Sequence, residues 1–184
     1  MKIIETQLPE VKLIEPRAFG DDRGFFLEAF RDEVYRRKVL GDSSLVQINH
    51  SRSVGGTLRG LHYQEPKPQG KLVWVPRGAV WDVAVDIRRG SPRFGQWTGH
   101  ELTDQNHHQL WIPPGFAHGF IVLSEFADFV YGCTDYFASE FDRGIRWDDP
   151  TIAVQWPMTC PTLSSKDAGA PALAEAEVLP IFEG

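Results

Sequence analysis

The sequence predicts an all-β domain of the jelly-roll type that carries one or a few short helices. Gly and Pro recur at short intervals along the chain, as at Gly55-Gly56 and Pro113-Pro114-Gly115. Between these breaks lie short runs rich in Val, Ile, Phe, Trp and Tyr. Short strands at such spacing are typical of a β-sandwich or a small barrel.

The predicted strands follow from the apolar runs in chain order. Each run holds β-branched and aromatic residues between turn residues, which favours extended structure. The runs are 24–30 (GFFLEAF), 44–51 (SLVQINHS), 71–87 (KLVWVPRGAVWDVAVDI), 109–113 (QLWIP), 118–124 (HGFIVLS) and 127–137 (ADFVYGCTDYF). Within 71–87 the turn Pro76-Arg77-Gly78 predicts a hairpin, and the segment 113–120 (PPGFAHGF) follows the same logic.

One segment has a helical pattern instead. Residues 31–41 (RDEVYRRKVLG) carry apolar Val34, Val39 and Leu40 and stop at Gly41, which predicts a short helix. The Ala-rich tail, residues 168–184, is expected to wrap the surface or to form another short helix.

Length and composition predict a single domain, residues 1–184, with enough apolar residues for a core. The chain has 184 residues, of which 42% are hydrophobic.

Its formal charge is -6 without a basic run, which argues against a nucleic-acid platform but leaves room for a local arginine cluster that holds an anion. Cys133 and Cys160 lack CxxC spacing, which argues against a disulfide framework and fits a reducing cytoplasm. No signal peptide or membrane-spanning apolar run is visible.

The stretch 58–64 (LRGLHYQ) does not sort cleanly into a buried face and an exposed face. In a regular strand, alternation assigns its residues to two faces, Arg59, Leu61 and Tyr63 on one and Leu58, Gly60, His62 and Gln64 on the other. A half-buried strand ordinarily separates polar from apolar residues better than this. The polar side chains of the stretch are therefore candidates for function.

Histidines in a jelly roll suggest a metal site, which needs two histidines two residues apart, a carboxylate and a later histidine. Here Gln64, a poor ligand, stands two residues after His62, and His118 is the later histidine. Two imidazoles with Glu65 are a weak ligand set, so the spacing argues against a metal. The other histidines are expected in a solvated turn or in ordinary polar positions: His107, His108, His50 and His100.

A metal-free site needs a base, an acid and a group that stabilises negative charge. His62 can act as a general base if a carboxylate orients it. Tyr131 is a candidate acid, and Lys71 and Arg59 can stabilise an oxyanion or bind phosphate. Each residue also has an ordinary interpretation, because strand tyrosines commonly pack at a core rim and single Lys or Arg residues are commonly solvated.

Eight motifs run in order along nearly the whole chain. They are 21–30 (DDRGFFLEAF), 47–53 (QINHSRS), 57–64 (TLRGLHYQ), 69–97 (QGKLVWVPRGAVWDVAVDIRRGSPRFGQW), 110–120 (LWIPPGFAHGF), 131–137 (YGCTDYF), 143–150 (RGIRWDDP) and 163–167 (LSSKD). Together they resemble the dTDP-4-dehydrorhamnose 3,5-epimerase family of sugar-nucleotide epimerases. The resemblance implies a cupin-type jelly roll (a double-stranded β-helix), a homodimer, and no metal or other cofactor.

The reaction implied by the resemblance is epimerisation at C3 and C5 of dTDP-4-dehydro-6-deoxy-D-glucose, on either side of the 4-keto group, to dTDP-4-dehydro-L-rhamnose. By motif, the resemblance makes His62 the base, Asp167 its carboxylate partner and Tyr131 the acid. It makes Lys71 the cation that stabilises the enolate. Further residues fall on substrate-binding positions: Arg23, Phe26, Glu28, Gln47, Asn49, Arg59, His118, Asp142 and Lys166.

Three residues depart from the family pattern. Trp74 and Gly132 stand where Arg and Lys are common, and Asp142 stands where Glu is usual, which shortens a binding side chain. The nearest alternative function is a mono-epimerase that acts on C3 or C5 of a related dTDP-4-keto-deoxysugar. Two other classes stay open, a metal-dependent cupin enzyme such as a dioxygenase, which Gln64 disfavours, and a non-catalytic sugar-binding cupin, which would not need both His62 and Tyr131.

Overall fold

Two antiparallel β-sheets form the body of the chain, whose computed structural model describes residues 1–182. The first sheet has six strands, side by side in the order β1 (Lys2–Glu5), β2 (Lys12–Glu15), β10 (Gln109–Ile112), β7 (Lys71–Arg77), β12 (Phe126–Cys133) and β5 (Gln47–Val54). The second has five, in the order β13 (Asp142–Gly144), β6 (Leu58–Gln64), β11 (Phe116–Val122), β8 (Ala79–Asp86) and β9 (Trp97–Thr103).

The inner faces of the two sheets share one apolar core. Val73 and Phe129 of the six-stranded sheet pack in the same buried cluster as Ala84, Leu102 and Phe120 of the five-stranded sheet. Each sheet buries its inner side chains against the other, as in other jelly rolls. The predicted all-β jelly roll is therefore confirmed. The single domain 1–184 stays a prediction, and its last two residues, 183 and 184, lie outside the described part of the chain.

The two predicted hairpins are wrong, although the turns exist. β7 and β8 are separated only by Gly78, yet β7 pairs with β10 and β12, whereas β8 pairs with β9 and β11. The segment 113–115 likewise connects β10 of one sheet to β11 of the other. Both turns are therefore corners at which the chain crosses between sheets. Turn residues identify a reversal of direction, but they do not say which strand becomes the neighbour.

Short helices and the C-terminal segment cover the outer faces. The predicted helix is confirmed as α1 (Asp32–Tyr35), which runs into a π-helical turn (Arg36–Leu40), and both pack on the six-stranded sheet. A second helix, α2 (Ser165–Ala168), and 3-10 turns at Ser139–Phe141 and Leu173–Glu175 follow. Leu173 packs in the cluster outside the five-stranded sheet, so the tail wraps the surface as expected. Within residues 1–182 no helix is long and apolar enough to cross a membrane.

A third sheet is a small hairpin whose strands do not join either of the two large sheets. Its strands, β3 (Ala18–Asp21) and β4 (Gly24–Leu27), pair only with each other. The hairpin carries three aromatic residues that are largely exposed, Phe19 at 53%, Phe25 at 60% and Phe26 at 69%. Such a concentration of exposed aromatic surface indicates an interaction surface rather than part of the core.

Candidate active site

A bulge in β6 sets the direction of its polar side chains. On β11, His118 lies opposite His62 and Phe120 lies opposite Arg59, so two residues of β6 face the single residue Gly119. An extra residue in one strand reverses the alternation beyond it. Arg59 and His62 consequently line the same cavity, whereas Leu61 packs in the cluster outside the sheet. The prediction that Arg59 and His62 lie on opposite faces is wrong for this reason.

Glycine is required where the two strands meet at the bulge. Gly60 has φ of +133°, and a Cβ placed there would lie 2.5 Å from Gly119 Cα. A Cβ on Gly119 would in turn lie 2.8 Å from the backbone oxygen of Arg59. Two facing glycines thus allow the close backbone approach at the bulge, and the bulge directs the side chains of Arg59 and His62 toward the same cavity.

Two adjoining cavities between the sheets share His62, Lys71 and Tyr131 in their walls. The outer cavity, of about 330 Å³, is also lined by residues of the rim, among them Gln47, Asn49, Asp142 and Lys166. The inner cavity, of about 180 Å³, is also lined by Arg59, His118, Phe120 and Phe129. Most of the residues predicted for the site therefore meet in one concave region, the usual form of a ligand site.

His62 is held by a carboxylate from the far end of the chain. Asp167 Oδ1 lies 2.5 Å from His62 Nε2, and Ser164 Oγ donates to Asp167 Oδ2 at 2.8 Å. Ser164 also caps α2, the short helix that carries Asp167. Burial on its own raises the pKa of Asp167, but hydrogen bonds from His62 and Ser164 outweigh it and hold this pKa below its usual value. The ionised carboxylate accepts a hydrogen bond from the Nε2–H group of His62, which leaves Nδ1 as the basic nitrogen.

Tyr131 and Lys71 come from the sheet opposite His62. Tyr131 lies on β12 and Lys71 on β7, both in the six-stranded sheet, whereas His62 lies on β6 of the five-stranded sheet. Burial, together with the nearby Cys133, raises the pKa of Tyr131, so its phenol stays protonated and can donate. Burial lowers the pKa of Lys71, because the ammonium group is removed from water. A base and an acid thus face each other across the cavity.

His118 has a buried partner that sequence reasoning missed. Its Nε2 lies 2.9 Å from Oδ2 and 3.1 Å from Oδ1 of Asp82, a carboxylate with no exposed surface. Asp82 was visible in the sequence only as a polar residue within the apolar strand 80–87. Cys133 was also missed as a cavity residue, and it lies opposite Lys71 in the register of β7 and β12.

Three predicted binding residues do not reach the cavity of the same chain. Arg23 pairs with Asp21 in the turn of the β3–β4 hairpin, and Glu28 pairs with Arg31. Phe26 lies on β4 beside them. None of the three lines either cavity.

A family model matches most of the chain. Residues 5–175 match the family model described as dTDP-4-dehydrorhamnose 3,5-epimerase. The chain belongs to the dTDP-4-dehydrorhamnose 3,5-epimerase family. The family placement confirms the resemblance that the eight motifs carry.

Three relatives match this chain over nearly the whole length of both chains. The dTDP-4-dehydrorhamnose 3,5-epimerase of Pseudomonas aeruginosa is 52% identical over 181 residues, which cover 98% of this chain and 100% of that one. A solved structure of dTDP-6-deoxy-D-glucose-3,5-epimerase from Legionella pneumophila, in complex with dTDP-4-keto-L-rhamnose, has a TM-score of 0.97 and 52% identity, covering 100% and 99% of the two chains. ChmJ, a 3'-monoepimerase from Streptomyces bikiniensis in complex with dTDP-quinovose, has a TM-score of 0.90 and 34% identity, covering 96% and 92%.

Two departures from the epimerase family pattern lie away from the cavity. Trp74 packs in the cluster outside the six-stranded sheet. Gly132 follows Tyr131 in β12 and faces outward too, where its missing Cβ would lie 2.7 Å from Leu45 Cδ1. The third departure, Asp142, does line the outer cavity, and it forms an ion pair with Lys166.

Gln64 has a structural use at the rim of the outer cavity. Its Nε2 donates to the backbone oxygens of Lys67 and Tyr136 at 2.6 Å and 3.3 Å, and its Oε1 accepts from Ala138 N at 2.9 Å. The amide therefore ties two rim loops together. Across residues 1–182 no group of three or more His, Cys, Asp and Glu side chains could hold a metal ion.

Proposed function

We propose that the protein epimerises dTDP-4-dehydro-6-deoxy-D-glucose at C3 and C5 without a cofactor and forms dTDP-4-dehydro-L-rhamnose. The observation that carries the proposal is the cavity in which the His62–Asp167 pair of one sheet faces Tyr131 of the other. Inversion at carbon requires removal of a proton on one face and delivery on the opposite face. Two groups on opposite walls meet that requirement.

His62 removes the proton next to the ketone. The Asp167 carboxylate stabilises the imidazolium that forms and keeps the ring in position. Carbon acids of this kind need stabilisation of the enolate oxygen, and Lys71, which lines both cavities, supplies a cation there. Tyr131 then returns a proton from the other wall, and proton exchange with solvent resets the two groups before the second carbon is inverted and again before the next turnover.

The diphosphate of the substrate is an anion in a protein of formal charge -6, so it needs local cations. Arg59 is one, because its Nε donates to Ser53 Oγ at 3.0 Å and its guanidinium is thereby fixed at the inner cavity. Lys166 at the rim is another. Gln47 and Asn49, joined by a 2.9 Å hydrogen bond, offer neutral polar contacts to the substrate.

The proposal includes a homodimer in which the β3–β4 hairpin of one chain completes the cavity of the other. Arg23, Phe26 and Glu28 then serve as binding residues although they lie outside their own chain's cavity. The exposed Phe19, Phe25 and Phe26 support this arrangement, because association would cover them. The unpaired state of Cys133 and Cys160 supports a cytoplasmic location.

Incubation with dTDP-4-dehydro-6-deoxy-D-glucose in heavy water, followed by NMR, tests the proposed function. We expect deuterium at C3 and C5 with inversion at both, before and after treatment with a chelator. Inversion at one carbon would identify a mono-epimerase. Binding without exchange would identify a sugar-binding cupin, and activity lost on chelation and restored by metal would identify a metal-dependent enzyme.

A further inference from the structure

Asp82 buries a carboxylate at a place where the apolar core would otherwise be continuous. It lies on the inner face of β8 between Val80 and Ala84, both members of the core cluster, and it is 0% exposed. A buried carboxylate is costly unless donors surround it. Both hydrogen bonds found for this carboxylate come from His118 Nε2.

The surroundings of the pair favour His118 as the direct partner of Asp82. His100 lies opposite Asp82 on β9, but its Nε2 is 2.9 Å from Thr98 Oγ1. Lys71 from β7 interacts with the charge of Asp82 through space and forms no hydrogen bond to it. On the far side of the ring, Phe129 of β12 stacks against His118 with the ring centroids 6.0 Å apart. The imidazole is thus held at its Nε2 edge and along one face.

His118 and His62 are neighbours with matching partner chemistry and different supports. They lie opposite each other in the register of β11 and β6, and each uses Nε2 to bind an aspartate. The partner of His62 stands on the short helix α2, whereas the partner of His118 stands on β8 within the sheet. Both rings line the inner cavity, and Nδ1 is the nitrogen that no carboxylate holds.

Resting on the proposed function, we propose that Asp82 is a positioning residue that fixes His118 so that Nδ1 binds an anionic oxygen of the substrate. An anionic oxygen at Nδ1 favours the doubly protonated ring, whose charge the buried carboxylate balances. Arg59, His62, Lys71 and Tyr131 are the other titratable groups that line the same inner cavity. The oxygen belongs either to the diphosphate or to the enolate.

Two measurements on four chains separate these sources. The chains are wild type, Asp82→Asn, His118→Gln and the double variant. Calorimetry with dTDP reports contact to the diphosphate, and the rate of deuterium exchange with saturating keto sugar reports contact to the enolate. We expect Asp82→Asn to lower either the dTDP affinity or the exchange rate about 10- to 100-fold. Loss of the carboxylate partner of a metal-bound imidazole has an effect of this size.

Asp86→Asn is the matched control, because Asp86 is also 0% exposed on β8 but pairs with Arg88 and Ser91 away from the cavities. We expect it to lower the stability and to leave dTDP affinity and exchange within about twofold of wild type. In the His118→Gln background, Asp82→Asn should add little more, since it acts through that ring. Full multiplication of the two effects, or no effect of Asp82→Asn on either measurement, would overturn the proposal.

NMR of the imidazole nitrogens of wild type keeps the proposal testable if Asp82→Asn does not fold. We expect Nε2 of His118 to carry a proton in the free protein and the Nδ1 signal to move when dTDP is added or, for an enolate contact, during turnover. An unprotonated Nε2 would overturn the proposal, and so would an Nδ1 signal that does not move in either state. Deuterium exchange by wild type is measured separately, so a failure of the proposed function can be told apart from a failure of the role proposed for Asp82.

Discussion

His62 receives its orientation from Asp167, and Asp167 receives its own from Ser164. The sequence shows the types of these residues but not that they are in contact, because Asp167 lies 105 positions from His62. Residue spacing gave His62 as a possible base, and the family resemblance supplied its partner. Asp82 had neither a motif nor a spacing to mark it, since only the fold brings it to His118.

Replacement of His62 by Asn should abolish exchange at both carbons. The amide cannot take up the proton, and loss of a general base costs about 100-fold or more. Deuterium incorporation by NMR measures the effect. His50→Asn is the control, because His50 is on the outer face of β5, where it pairs with Asp128. Exchange near the wild-type rate in His62→Asn would show that another residue is the base.

The Asp167 pair should lose its stabilising effect in acid. The folded-state pKa of Asp167 is below its unfolded value of about 4, so the unfolded chain gains the proton first as the pH falls. The stabilisation is therefore present above about pH 4 and is lost as the pH falls through the folded value. Urea unfolding of wild type and Asp167→Asn should differ in free energy at pH 7, and the difference should shrink as the pH falls below about 4. A difference that stays constant over this range would contradict the assignment.

At the scale of elements, many of the strands and the helix at 31–41 were predictable, but β2, β3, β9 and β13 lie outside the predicted runs. The pairing of the strands and the face on which Arg59 lies were not predictable either. Apolar runs bounded by turn residues identify strands wherever they pair. The corner at Gly78 looks like a hairpin because a corner and a hairpin use the same residues. The bulge in β6 is invisible to alternation, and it alone places Arg59 beside His62.

Gly60→Ala should destabilise the protein more than Gly90→Ala. Both residues have positive φ, but a Cβ at Gly60 meets the backbone of Gly119 at 2.5 Å, whereas one at Gly90 has nothing within 4 Å. The strained backbone alone costs about 1–3 kcal/mol, and the collision at Gly60 adds to it. Urea unfolding gives both values. Equal losses would mean that the close approach of β6 and β11 is not needed.

For the whole molecule, the jelly roll supplies two facing walls, and the exposed hairpin is the surface through which we propose that two chains associate. The sequence placed Arg23, Phe26 and Glu28 in the substrate site through the family resemblance. A single chain leaves all three outside its cavity. The proposed homodimer would reconcile the two, because a second copy would bring these residues into the cavity.

Two inactive variants should restore activity when their chains are exchanged. In a mixed dimer of His62→Asn and Arg23→Ala, one cavity combines an intact His62 with an intact Arg23 from the other chain. We expect a sedimentation mass of twice 20.8 kDa and activity that returns only after subunit exchange. A monomer at micromolar concentration, or no recovery in a proven mixed dimer, would contradict the arrangement.

The most direct test of two opposed proton-transfer groups is the ratio of exchanged to inverted product formed by Tyr131→Phe in heavy water. The substitution removes the phenol oxygen and keeps the ring that packs beside Phe129. His62 should still exchange the proton on its own face, whereas inversion needs a donor on the other face. We predict that exchange persists while inversion falls, so the ratio rises. A ratio equal to that of wild type would show that Tyr131 is not the acid and would contradict the two-wall mechanism.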